Sequence, residues 1–235
     1  MAVSEVSDGD VVYYFRDTNK LLVQAWQSVF DDYPNSVKAS HGDIFEGGPA
    51  ADAIVSPANS FGFMDGGIDY AYTRFFGSQM QNRLQTIIRD DYDGELLVGQ
   101  AILMPAYDEE GRDASKDWSP FNEGKAIKYL ISTPTMRVPS NVADTVNVYL
   151  SFRAVLLAVR RHNNTKGNEP IRSVLVPGLA TSTGRMSPLR CAWQMLQAYE
   201  TFTQNMHDIR RTPANLLQVY ADQEKLCEEE KYVAA

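Results

Sequence analysis

Asp43, Asn59, Asp65 and Asp69 fall within a short span of the chain, each in a glycine-bearing or turn-rich stretch. Carboxylates so placed can accept from a ligand amine or hydroxyl, or hold a water, and an amide can both donate and accept. Beside them Gly66, Gly67 and Ile68 open a helical pattern. A second glycine-bearing loop, PGLATSTGRM at 177–186, brings Gly178, Thr181, Ser182, Thr183, Gly184 and Arg185. Glycine lets backbone approach a ligand closely, and the unpaired N–H groups at a helix start favour phosphate. The same residues also have plain structural uses. Asp favours turns, Asn can cap its own loop, and a carboxylate is favoured in the first helical turn by the macrodipole.

The elements around these loops are legible in outline. Ala53-Ile54-Val55 and Val174-Leu175-Val176 are short apolar runs of the kind that make strands covered on both faces. Ile68, Tyr72, Phe76, Met80, Leu84 and Ile88 recur every fourth residue, which predicts one helix after the first loop. Ser187 followed by Pro188 is a helix start, and Leu189 to Phe202 supply its buried face. Further strands are expected at Val11–Phe15, Val37–Ala39, Leu97–Met104 and Tyr129–Thr133, with helices through Leu22–Val29 and Val142–Val159. Tyr107 to Lys125 is a long polar excursion. Alternating strands and helices give an α/β class with a mostly parallel sheet. In such sheets ligands sit beyond the strands' carboxyl ends, so the two loops should meet on one rim.

Composition sets the outer bounds. The chain has 235 residues, 44% hydrophobic and 22% charged, which suits one large domain or a domain with tails. A net charge of −8 argues against nucleic-acid binding by charge alone. The two cysteines form neither a metal-type pair nor a disulfide framework, and Cys191 reads as a small apolar helix residue. The absence of a signal core or a membrane-length apolar run gives a cytoplasmic expectation. His41, His162 and His207 form no visible triad, and no metal-ligand cluster appears.

Three segments in order resemble the macrodomain family: Gly42-Asp43-Ile44; Asp52 to Val55 with Ala58-Asn59 and then Gly66 to Ala71; and Val176 to Gly184. The match spans roughly residues 37–202, with the domain set at 1–210 and 211–235 read as an acidic tail or peripheral helix. The resemblance implies a three-layer α/β/α fold with a mixed, mostly parallel sheet that binds ADP-ribose. It implies that Asp43, next to Ile44, accepts from the adenine amino group, that Asn59 contacts the distal ribose, and that Asp69 orients or activates water. The second loop, from Gly178 through Thr181 to Arg185, would hold the diphosphate. It is not a P-loop, since five residues separate Gly178 from Gly184 and Arg185 stands where Lys is required.

The sequence also departs from the family. Ser56 and Pro57 replace the first two residues of its NAAN element, and Phe63-Met64-Asp65 shortens the glycine run before Gly66. Phe61, Phe63 and Met64 can pack inward or wall a pocket. Two functions stay open. One is a hydrolase acting on an ADP-ribosyl ester, O-acetyl-ADP-ribose or ADP-ribose 1″-phosphate, with Asp69, Asn59 and Asp65 at the reaction centre and no metal or cofactor. The other is a non-catalytic ADP-ribose reader. Partners are then ADP-ribose or an ADP-ribosylated protein or metabolite, with no membrane. A branched side chain at Gly184 is expected to block phosphate while leaving the fold largely intact.

Overall fold

The computed structural model describes residues 11–107 and 117–228. In chain order they form β1 (Val12–Asp17), α1 (Lys20–Val29), β2 (Val37–His41), β3 (Ala53–Ser56), α2 (Gly67–Phe76), α3 (Gln79–Asp91), β4 (Ile102–Pro105), β5 (Tyr129–Ser132), α4 (Asn147–Asn164), β6 (Ser173–Val176), α5 (Pro188–Phe202) and α6 (Leu216–Cys227). The six strands make one sheet in the order β2-β1-β6-β3-β5-β4. All its pairings are parallel except β4 with β5, so the sheet is mixed and mostly parallel.

Successive strand residues face opposite sides of a sheet, and here both sides are covered. Tyr13, Phe15, Ala53, Val55, Ile131, Val174 and Val176 point into one core, closed by Leu22 and Trp26 of α1, Phe152 and Val155 of α4, and Cys191 and Met195 of α5. Ile54, Leu130 and Leu175, the intervening residues, point into the other, closed by Tyr72 and Phe76 of α2 and Met80, Leu84 and Ile88 of α3. This is the three-layer α/β/α arrangement. It also explains why the central strands carry no polar alternation.

Three boundaries differ most from the sequence reading. The helix expected through Ile68–Ile88 is two helices, broken at Gly77, whose φ of 82° ends α2. The fourfold spacing survives the break because both helices turn the same side into one core. The strand expected from Leu97 begins at Ile102; Leu97 is 55% exposed and lies in a turn closed by Gln100 N–H on its carbonyl. The helix expected from Val142 begins at Asn147, and Val142 is buried in the preceding loop. Of the excursion at 107–125, residues 108–116 lie outside the described residues. Its flanks pack inward: Phe75 meets Trp118 and Phe121, and Phe76 meets Tyr107. At the other end α6 is tied to α5 by Trp193 Nε1–H to Lys225 O and Gln194 Nε2–H to Leu226 O.

Candidate functional site

Because β1, β2, β3 and β6 are parallel, their carboxyl ends share one rim. A cleft of about 820 Å³ opens there, walled by the segments that leave those strands. Asp17 ends β1 and Thr18 and Asn19 follow it, Gly42 to Ile44 follow β2, Pro57 to Asp69 follow β3, and Gly178 to Gly184 follow β6. The cleft thus brings together Asp43, Ile44, Asn59, Asp65, Gly66, Gly67, Ile68, Asp69, Gly178, Thr181, Ser182, Thr183 and Gly184. Arg185 is not among its lining residues; its side chain is exposed beyond the loop.

The first loop is held by side chains. Asn59 Oδ1 accepts from the N–H groups of Phe61 and Phe63, and Asn59 Nδ2 donates to Phe63 O at 2.7 Å. Thr73 Oγ1 donates to Met64 O, and Gln81 Oε1 accepts from Met64 N–H. The open question over the apolar trio resolves three ways. Met64 is fully buried, Phe63 is 50% exposed and lines the cleft, and Phe61 lies under the Arg137 guanidinium at 5.0 Å. α2 starts at Gly67 with Gly66 as its N-cap and no side-chain cap. The first N–H groups of that helix therefore stay available to a ligand.

Asp69 stands in the first turn of α2, half-buried, and accepts from Ser56 Oγ at 2.6 Å. Burial pushes its carboxyl up to about 6, the Ser56 hydroxyl acts the other way, and the Asp65 charge adds to the rise. Ser56, which stands where the family's Asn is expected, is fully buried at the end of β3. Its hydroxyl fixes one oxygen of Asp69. A carboxylate so raised titrates near neutral pH and can take a proton from water there.

The second loop is held by its own backbone. Arg185 N–H bonds Ser182 O, Met186 N–H bonds Ala180 O, and Val142 N–H bonds Gly184 O. Ala180 and Arg185 both adopt left-handed backbone, with φ of 58° and 55°. Non-glycine residues there store strain, which clusters at functional sites. Among the described residues the N–H groups of Ser182, Thr183 and Gly184 bond no other backbone carbonyl. A Cβ on Gly184 would stand 2.5 Å from Ala180 O and 2.9 Å from Val142 Cγ2. The expectation that a side chain there spares the fold is therefore corrected: it would collide with the loop's own backbone.

Two charged residues outside the expected site set, Asp17 and Arg16, add to the walls; the sequence reads Asp17 as part of a turn before α1. Asp17, at the end of β1, accepts from Gly178 N–H at 3.0 Å and from Asn19 N–H at 2.8 Å, pinning the second loop to β1. Arg16 is 8% exposed; Nε donates to Asp43 O, Nη1 to Ser40 Oγ and Nη2 to Glu46 O. It thereby shapes the turn in which Asp43 Oδ1 caps the N–H groups of Phe45 and Glu46. The parallel-sheet rule held the signal for Asp17, since any polar residue at a strand's carboxyl end falls on this rim.

A family model described as "Macro-like domain" matches residues 17–220. The chain belongs to the macro-like domain family. Among solved structures, the macrodomain of Mycobacterium tuberculosis DarG is similar over 70% of this chain and 90% of that one, with 19% identity and a TM-score of 0.50. The Oceanobacillus iheyensis macrodomain with MES bound is similar over 70% of this chain and 75% of that one, again at 19% identity and a TM-score of 0.50. These likenesses concern the macrodomain fold. Among the described residues no helix is long and apolar enough to cross a membrane, and no group of His, Cys, Asp and Glu could hold a metal ion.

Proposed function

We propose that this macro-like domain binds ADP-ribose in the cleft and hydrolyses the bond between the distal ribose and a substituent on it. Asp43 would accept from the adenine amino group, using the carboxylate oxygen not spent on the Phe45 and Glu46 N–H groups. The Ser182–Gly184 N–H groups would hold the diphosphate, as fixed dipoles that need no reorganisation. The distal ribose would then lie against Asp69, Asp65 and Phe63. The observation that carries the enzymatic reading is Asp69, a half-buried carboxylate with one oxygen bonded to Ser56 and the other free to hold water.

The test is release of free ADP-ribose, or of phosphate, from an ADP-ribosyl ester, O-acetyl-ADP-ribose and ADP-ribose 1″-phosphate. Asp69→Asn should lower turnover by about 10²–10⁴-fold, the usual worth of acid–base assistance, with ADP-ribose affinity little changed. Wild-type turnover should rise with pH through about 6, as Asp69 ionises. Turnover that ignores Asp69→Asn would put the chemistry elsewhere. The second reading, a reader without turnover, is favoured by Asn59. Its amide is engaged within its own loop, which leaves the ribose end one polar group poorer. Tight ADP-ribose binding with no release from any substrate would establish it.

A further inference from the structure

The five charged side chains lining the cleft are unevenly placed. The single cation, Arg16, is fixed to the Asp43 turn through Asp43 O. Asp17 is engaged by the N–H groups of Gly178 and Asn19. Asp65 and Asp69 stand together on the first loop and the start of α2, close enough for one charge to act on the other. Apart from Arg16, no Lys, Arg or His lines the cleft among the described residues. Asp65 is exposed and has no hydrogen bond or ion pair there, so its carboxylate does no evident work in the fold. Outside the lining, Arg137 is held in an ion pair with Glu95.

We propose that Asp65 is a charge filter at the ribose end of the cleft, admitting ADP-ribose derivatives whose distal substituent is neutral or cationic and rejecting those that carry a phosphate there. This rests on the ADP-ribose reading above, which puts the distal ribose beside Asp69. A phosphate monoester carries about −1.5 to −2 charges at neutral pH. The uncapped start of α2 offers it only roughly half a positive charge, against two carboxylates. In a partly enclosed cleft the balance is repulsive by about tenfold in affinity or more. Of the three candidate substrates, the two esters fit this site and the 1″-phosphate does not.

The experiment is calorimetric titration of the full chain with ADP-ribose and with ADP-ribose 1″-phosphate, for wild type and Asp65→Asn, at low and moderate salt. Thermal melts verify that the variant is folded, and Asp65→Ser serves as a second substitution. ADP-ribose should bind wild type about tenfold more tightly than the 1″-phosphate. Asp65→Asn should shrink that ratio at least about threefold, and added salt should shrink it in wild type. Equal or tighter binding of the 1″-phosphate by wild type, or a ratio indifferent to both Asp65 substitutions, would overturn the filter while leaving the ADP-ribose reading intact. If ADP-ribose itself does not bind, that reading fails and the filter falls with it.

Discussion

The two loops that wall the cleft share one sequence signature, a buried strand followed by glycines and then a helix, and Gly62 of the first is packed against Ile88 and Leu84, yet the glycines that line the cleft answer different demands. In the second loop a Cβ on Gly178 would meet Thr181 Oγ1, Asp17 Oδ2 and Leu22 Cδ2 within 2.7 Å, and one on Gly184 would meet backbone at 2.5 Å. These glycines are required by packing inside the protein. In the first loop a Cβ on Gly66 or Gly67 would meet nothing within 4 Å. Gly67, at φ 56°, is required by its own left-handed backbone, whereas Gly66 faces open space in the cleft with an unrestricted backbone, so only there does the bareness suit an approaching ligand. A glycine-rich loop thus carries one meaning for folding and another for binding, and only the neighbours tell which.

Substitutions should separate the two loops by size and by sign. Gly184→Val should have the largest effect, costing about 3 kcal/mol or more of stability because neither backbone nor Val142 can yield cheaply; chemical denaturation measures it. A full-stability Gly184→Val would show that the loop is looser than its contacts suggest. Asp69→Asn, beside the first loop, should stabilise. The folded chain holds the Asp69 proton to about 6 against an ordinary 3.8. That carboxyl's contribution is therefore full below the ordinary value and is lost as pH rises through about 6. The variant should match wild type near pH 4 and exceed it by roughly 1–3 kcal/mol near pH 7.5. A constant difference across that range would mean that Asp69 titrates normally.

Asp17→Ala removes two charge-assisted bonds and should cost about 1.5 kcal/mol. It should also free the second loop, seen as faster amide exchange at Gly178. Gly66→Ala should be the mildest for the fold, within about 0.5 kcal/mol of wild type, since its φ of −142° suits any residue. On the proposed ADP-ribose reading, its affinity for that ligand should nonetheless fall, read by calorimetry. A stability loss at Gly66 as large as that at Gly184 would erase the distinction between the loops.

Much of the architecture was legible before the structure. Ile54, Leu175 and Leu130 are apolar because both sheet faces are covered, so β3, β6 and β5 announce themselves as unbroken hydrophobic runs. The break at Gly77 was hidden, because Tyr72, Phe76, Met80 and Leu84 keep one period while the backbone changes direction beneath them. The site divides similarly. Asp43, Asp69 and the second loop stand in recognisable order along the chain. Asp17 and Arg16 precede Asp43 by a helix and a strand, and their roles arise only when β1 is placed between β2 and β6. Ser56 was visible only as a departure from an expected Asn, and its use became apparent once its hydroxyl met Asp69.

The position of β6 has a consequence for how the chain comes together. It pairs with β1 on one side and β3 on the other, so it alone joins the β2-β1 ribbon to the β3-β5-β4 ribbon. During synthesis the first ribbon must wait about 130 residues, from β2 to β6, before its inner edge is covered. Contacts so distant in sequence are slow to form and leave strand edges exposed meanwhile. Nascent chains cut before Ser173 should lack a closed sheet and be readily digested. Chains extended past Phe202, which also supply α5, should become protease-resistant in one step. Since Asp17 and Gly178 meet across the β1–β6 seam, the cleft is completed in that same late event.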